Sequence, residues 1–183
     1  MSTTGFDADA LFKQIRQSTG PAPVHLWNPP FCGDIDMRIA SDGTWYYQGT
    51  PVGRKAMVKL FSSVLRLDED GCYYLVTPVE KVRIRVDDCP FVAVLLDVQG
   101  QGHDQELVFT TNTEEKVVAG AENPLLLETD PETAMPHPRL LCRSNLYALI
   151  NRNVFYQLAD LSTQESSAGK PGVWSRGCFF HFA

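Results

Sequence analysis

Residues 34–39 alternate, with Ile35, Met37 and Ile39 on one side and Asp34, Asp36 and Arg38 on the other. That period of two predicts a half-buried strand. Ser41-Asp42-Gly43 predicts a turn and residues 44–48 the return strand of a hairpin. Residues 51–67 predict a helix: Ala56, Met57, Leu60, Phe61, Val64 and Leu65 fall at helical spacing, and Arg54, Lys55, Lys59, Ser62 and Ser63 lie largely off that stripe. After Asp70-Gly71 comes a strand over 72–77, interrupted by Pro78. Residues 81–86 alternate again, with Val82, Ile84 and Val86 inward and Lys81, Arg83 and Arg85 outward.

The second half predicts strands near 91–98, 106–110, 116–119 and 125–128, of which 91–96 is almost wholly apolar and reads as central. Residues 130–138 carry three prolines and predict a loop. A second helix is expected over 144–160, with Leu146, Leu149, Ile150, Phe155 and Leu158 as its stripe. A linker over 162–169 precedes a last strand at 173–182, rich in Trp174, Phe179, Phe180 and Phe182. Ahead of all this, residues 6–17 predict a short amphipathic helix capped by Asp7, and Trp27-Asn28-Pro29-Pro30 a proline-rich loop.

Arg54-x-x-Met57-x-x-Leu60-Phe61 matches Arg143-x-x-Leu146-x-x-Leu149-Ile150 at an offset of 89 residues. Any amphipathic helix supplies the apolar spacing, so the paired arginine is what suggests a repeat. The expected fold is α+β, with two related lobes, 1–90 and 91–183. Each lobe is a curved, mainly antiparallel sheet packed on one helix, and the short N-terminal helix is added to the first.

Composition narrows the function classes. The 183 residues are 44% hydrophobic and 21% charged, an ordinary globular balance. No apolar run approaches the ~20 residues of a membrane span, and the first residues lack a signal-peptide pattern, so the expectation is a cytoplasmic protein without membrane association. The net charge of −6 is uneven. Residues 97–132 hold nine acidic side chains against Lys116 alone, whereas 31–90 hold nine acidic and eight basic. With no basic run, nucleic-acid binding is not expected. Five scattered cysteines include no C-x-x-C pair and read as reduced thiols.

An arginine in a first helical turn opposes the helix dipole. Arg54 and Arg143 both take that place in the expected helices, so an anion such as a phosphate or carboxylate could compensate. So could an internal carboxylate: Asp34, Asp36, Asp42 or Glu80. Thr77-Pro78-Val79-Glu80-Lys81 is a proline-broken strand edge with a charge pair, either a bulge aiming Glu80 or Lys81 at a groove or a protected edge. Asp34 and Asp36 with Cys32 and His25 sketch a poor metal site of mixed ligands. Cys32 as a nucleophile lacks a recognisable base, and Ser62-Ser63 lack the strand–turn setting of a nucleophile elbow. No P-loop or Rossmann glycine pattern is present, and no cofactor is implied.

Several segments together carry a resemblance. They are Cys32-Gly33-Asp34-Ile35-Asp36-Met37-Arg38-Ile39, Asp42-Gly43-Thr44-Trp45-Tyr46-Tyr47, Pro51-Val52-x-Arg54, Phe61-Ser62-Ser63-Val64-Leu65-Arg66, Tyr73-Tyr74-Leu75-Val76-Thr77-Pro78-Val79-Glu80-Lys81, Pro90-Phe91-Val92-Ala93-Val94, Arg152-x-Val154-Phe155-Tyr156-x-Leu158 and Gly172-Val173-Trp174-Ser175. By these the chain resembles the DUF1285 family of bacterial proteins of unknown function, nearly throughout from Trp27 onward. The resemblance implies two related α+β lobes from a duplication and a suggested role in signal transduction. No catalytic residue is established for the family, so none carries over.

The leading expectation is a non-enzymatic regulatory module that binds a small anionic ligand or a protein partner through Asp34, Asp36, Arg38, Arg54, Glu80, Lys81 and Arg143. The alternatives are a metal- or cysteine-dependent hydrolase using Cys32 with Asp34 or Asp36, and a structural adaptor that docks a partner through its aromatic C-terminal strand.

Overall fold

The computed structural model describes Ala10, Lys13, residues 22–164 and residues 169–183. The helix expected over 6–17 lies outside the described residues apart from Ala10 and Lys13, which are helical, and the expected 162–169 linker lies partly outside them. The chain divides into two compact units, Met1–Asp87 and Asp88–Ala183. Each is an α+β unit built on a six-stranded sheet.

Unit 1 runs β1 (Phe31–Ile39), β2 (Trp45–Tyr47), β3 (Thr50–Pro51), α1 (Lys55–Ser63), β4 (Leu65–Leu67), β5 (Tyr73–Val76) and β6 (Lys81–Val86). Its strand order is β3-β2-β1-β6-β5-β4. β1 and β6 pair in parallel, and every other pairing is antiparallel. The β1–β2 hairpin forms where its alternation predicts it. Gly43 N–H donates to Ala40 O at 2.9 Å, and Asp42 Oδ1 accepts from Thr44 N–H at 2.9 Å. Gln48 and Gly49 both take positive φ, 51° and 77°, in a two-residue turn whose twist suits the β2–β3 hairpin.

The helix is shorter at both ends than its periodicity suggests. Pro51 pairs with Tyr46 in an edge strand, a place that tolerates a missing N–H. At the far end, Ser62 Oγ donates to Lys59 O at 2.7 Å and Ser63 Oγ to Leu60 O at 2.6 Å. Such side-chain bonds offer those carbonyls another partner and weaken the helix there. Val64 and Leu65, in phase with the helix, are buried just beyond it, Leu65 in β4. Phe61 stacks on Trp45 at 6.1 Å between ring centroids, which holds α1 on the core with Met37, Ile39, Leu75 and Val82.

Unit 2 runs β7 (Phe91–Gln99), β8 (Glu106–Thr111), β9 (Lys116–Val118), β10 (Leu125–Thr129), β11 (Pro136–Arg143), β12 (Leu146–Ile150), α2 (Arg152–Asp160), β13 (Gly172–Ser175) and β14 (Cys178–His181). Its order is β10-β11-β12-β7-β8-β9, with β7 and β12 parallel. Numbered within each unit, both sheets read 3-2-1-6-5-4. First and last strands meet in parallel at the centre, flanked by antiparallel meanders. β7 is central, as its apolar run predicts, with Phe91, Val92 and Ala93 all buried.

Four expectations differ from the structure. The 144–160 helix is a strand followed by a helix: Leu146, Ala148 and Ile150 are buried with half-exposed residues between them, a period of two. Asn151 then caps α2, its Oδ1 accepting from Val154 N–H at 2.9 Å. The proline-bearing 130–138 loop gives way at Pro136 to β11, and Pro138 is buried opposite Leu127. The last strand is a hairpin, turned at Arg176-Gly177 with φ of 48° and 75°. The arginine repeat also fails, because Arg54 is the N-cap of α1 and Arg143 ends β11. The duplication lies in strand order, while α1 falls between the third and fourth strands of its sheet and α2 after the sixth.

Candidate functional site

The alternation of β1 and β6 puts Asp34, Asp36 and Arg38 beside Lys81, Arg83 and Arg85 on the sheet face opposite the core. The parallel pairing aligns Asp34 with Arg83 and Arg38 with Arg85. Between those two pairs β1 advances four residues while β6 advances two, so β1 bulges. Gly33, at φ 110°, accommodates an earlier register shift. The irregular pair opens a concavity of about 390 Å³, lined by Asp34, Asp36, Cys72, Arg83 and Arg85 over Ile35, Met37 and Ile84.

Charges here are sorted into pairs with two exceptions. Arg83 grips Asp34 by two bonds, Nε to Oδ1 and Nη2 to Oδ2, the latter 2.8 Å. These hold the Asp34 carboxyl below its ordinary range and raise Arg83 further. Arg38 pairs with Asp87 and lies over the Tyr46 ring at 4.8 Å. Lys81 Nζ meets Asp68 Oδ2 at 3.0 Å and lies 4.4 Å from the centroid of Tyr74. The Tyr74 hydroxyl donates to Asp70 at 2.5 Å, which pushes its own pKa up to about 12. Among the described residues, the side chains of Asp36 and Arg85 make no hydrogen bond or ion pair, and both line the concavity. Such a surface can take an anionic group on Arg85 and a donor group on Asp36.

The sequence-derived residues are distributed as follows. Asp34 and Asp36 line the concavity, and Arg38 and Lys81 stand on the same face, committed to Asp87 and Asp68. Glu80 closes a turn in which its N–H donates to Thr77 Oγ1 at 3.0 Å and Thr77 N–H donates to Glu80 O at 2.8 Å. Arg54 is exposed at the α1 N-cap and makes no side-chain capping bond. Arg143 belongs to unit 2, where it meets Glu115 at 3.6 Å and lies over the Phe91 ring at 5.2 Å. It occupies no helix start, so its dipole argument is withdrawn. Arg83 and Arg85 face outward as the alternation of β6 predicts, but nothing local marks them as site residues, because a parallel pairing across 49 residues leaves no local signal.

The other sequence candidates have ordinary surroundings. Cys32 is exposed and donates to Pro30 O at 3.3 Å. Ser62 and Ser63 are spent on helix carbonyls. The C-terminal aromatics pack within their own unit: Trp174 against Phe179 and His103, Phe182 against Phe155. Among the described residues, the metal-ligating types that gather are Asp88, Cys89 and His137, in unit 2. No helix among the described residues is long and apolar enough to cross a membrane.

Comparison with known proteins supports the architecture. Residues 22–89 match the model of the N-terminal domain of DUF1285, a domain of unknown function, and residues 90–182 match its C-terminal domain. A crystal structure of a DUF1285 family protein from Silicibacter pomeroyi DSS-3 is 57% identical, with 94% of this chain and 93% of that one covered and a TM-score of 0.85. A second, from Shewanella baltica OS155, is 28% identical over 68% of this chain and 90% of that one, with a TM-score of 0.53. No curated protein matches. With both domain models in order along nearly the whole described chain, the protein belongs to the DUF1285 family.

Proposed function

We propose that this protein is a non-enzymatic regulatory module, acting in signal transduction, whose unit 1 holds a small anionic ligand in the β1–β6 concavity. One observation carries the reading: Arg85 lines that concavity with no acidic partner among the described residues, on a face where Arg38, Lys81 and Arg83 are all paired. Asp34 orients Arg83 through Nε and Nη2 beside Arg85. Asp36 accepts a hydroxyl or amino proton, so the ligand class is a phosphate or carboxylate that also bears a donor.

The test is a screen of hydroxy- and amino-carboxylates and small phosphate esters by amide chemical-shift mapping. Bound ligands should perturb β1 and β6. Arg85→Gln should weaken binding by about tenfold or more, the worth of one charge-assisted hydrogen bond, and Arg54→Ala should leave it unchanged. Binding retained within twofold in Arg85→Gln would rule the site out.

A further inference from the structure

We propose that Asp88, Cys89 and His137 form a binding site for a divalent transition metal of the zinc class in unit 2. Asp88 and Cys89 lie just ahead of β7, and His137 lies near the start of β11, opposite Glu128. His137 Nε2 is 2.9 Å from both Asp88 oxygens, and Cys89 Sγ is 3.5 Å from Asp88 Oδ1. One ligand atom from each of the three side chains falls within 4.8 Å of the others.

Zinc bonds of about 2.0–2.2 Å to nitrogen and oxygen and about 2.3 Å to sulfur, set at tetrahedral angles, separate N and O ligands by about 3.3 Å and S and O ligands by about 3.5 Å. His137 Nε2 and Cys89 Sγ each stand at those separations from Asp88 Oδ1 to within about 0.4 Å, and lie within 4.8 Å of each other. The donor set, one imidazole, one thiolate and one carboxylate, suits zinc and excludes the all-oxygen shells of magnesium and calcium.

Cys89 is 5% exposed, whereas Asp88 and His137 are half-buried, so a sheltered sulfur is joined to two donors that solvent reaches. Arg139, two residues beyond His137 in β11, is paired with Glu128 Oε2 at 2.6 Å. On binding, the S–H bond breaks and its proton leaves to solvent, while metal–S, metal–N and metal–O bonds form. Three protein donors leave one tetrahedral position for water or a small ligand. His137 also lines a concavity of about 400 Å³ with Asn151, Arg152, Phe155 and Tyr156, which supplies an approach.

The test uses the full chain, stripped with a chelator and titrated with cobalt(II). One equivalent should saturate and raise a thiolate-to-cobalt charge-transfer band together with intense visible bands of tetrahedral cobalt. Cys89→Ser should abolish the charge-transfer band, and His137→Gln and Asp88→Asn should each weaken binding by at least about 10–100-fold, the range that even supporting groups of a metal site command. Cys32→Ser should change nothing. A band absent from the wild type, or one that survives Cys89→Ser, overturns the site. If a variant fails to fold, wild-type crystals grown with one equivalent of zinc decide: an anomalous peak among the three side chains upholds the site, and no peak there refutes it. The outcome is independent of anion binding by unit 1.

Discussion

Units 1 and 2 share one strand order and use their sheets differently. In unit 1 the central parallel pair alternates over residues 34–39 of β1 and along β6: one face is core, and the other is a lattice of arginines, a lysine and aspartates. In unit 2 the matching pair, β12 and β7, is apolar through consecutive residues, with Phe91, Val92 and Ala93 all buried. Further elements also pack against its sheet, α2 on β7 and the β13–β14 hairpin on β8. The hairpin is tied in by Ser175, whose hydroxyl donates to Ala119 O at 2.7 Å and accepts from Leu107 N–H at 3.0 Å. The same topology thus leaves a charged face open in one copy, while in the other α2 and the β13–β14 hairpin cover part of the sheet and Leu95 of β7 stays exposed. The metal-ligating side chains that gather in unit 2 lie ahead of β7 and near the start of β11, and the charge pairs of unit 1 lie on the sheet itself.

The contrast can be broken first through the cores. Phe61→Ala removes the ring stacked on Trp45, and Phe61 is 1% exposed. It should cost unit 1 about 3–5 kcal/mol. Loss of amide protection in β1, β2 and α1 checks it, and a loss under about 1 kcal/mol would show that α1 does not hold the core.

A smaller effect probes the charge lattice. Burial works against the charge on Asp68, but hydrogen bonds from Arg66 at 2.6 Å and Lys81 at 3.0 Å outweigh it and hold the carboxyl below its ordinary range. Arg66 in turn donates to Val24 O and Trp27 O, which ties the segment ahead of β1 to β4. Asp68→Asn should cost about 1–3 kcal/mol near neutrality. A depressed folded-state pKa stabilises above the unfolded value of about 3.9 and is lost as pH falls through the folded value. The gap between wild type and variant in urea midpoint should therefore be full at about pH 6 and close below about pH 4. A gap independent of pH would contradict the ion-pair account.

The smallest effects compare the two helix starts. Asn151 caps α2 through its side chain, whereas Arg54 stands at the same position of α1 without a capping bond. Asn151→Ala should destabilise by about 1 kcal/mol, and Arg54→Asp should stabilise by about 0.5–1 kcal/mol by adding a cap and a favourable charge at the dipole. Thermal midpoints that move in opposite directions support the comparison. Movement of both in one direction would refute it.

How much of this the sequence disclosed depends on the range of the signal. The β1–β2 hairpin, β6 and the central β7 were legible, because alternation, turn residues and an apolar run are local. Residues 144–150 were not. Leu146, Leu149 and Ile150 satisfy helical spacing, while Leu146, Ala148 and Ile150 satisfy a period of two, and only pairing with Phe91–Ala93 and Arg139–Arg143 decides between them. Pro138 argued for a loop until a neighbouring strand was present to bury it. The site divides in the same way. The outward placement of Arg83 and Arg85 was readable, but their juxtaposition with Asp34 and Arg38 was not.

From the chain alone came the α+β class, the family resemblance and a charged face, each set by side-chain chemistry repeating over a few neighbouring residues. Folding in three dimensions chose which charges meet. The parallel pairing joins β1 to β6, and the return of β11 brings His137 to Asp88, 49 residues away. Contacts that distant in sequence depend on strand order and register, and a cation left without a partner is visible only after every other pair has formed.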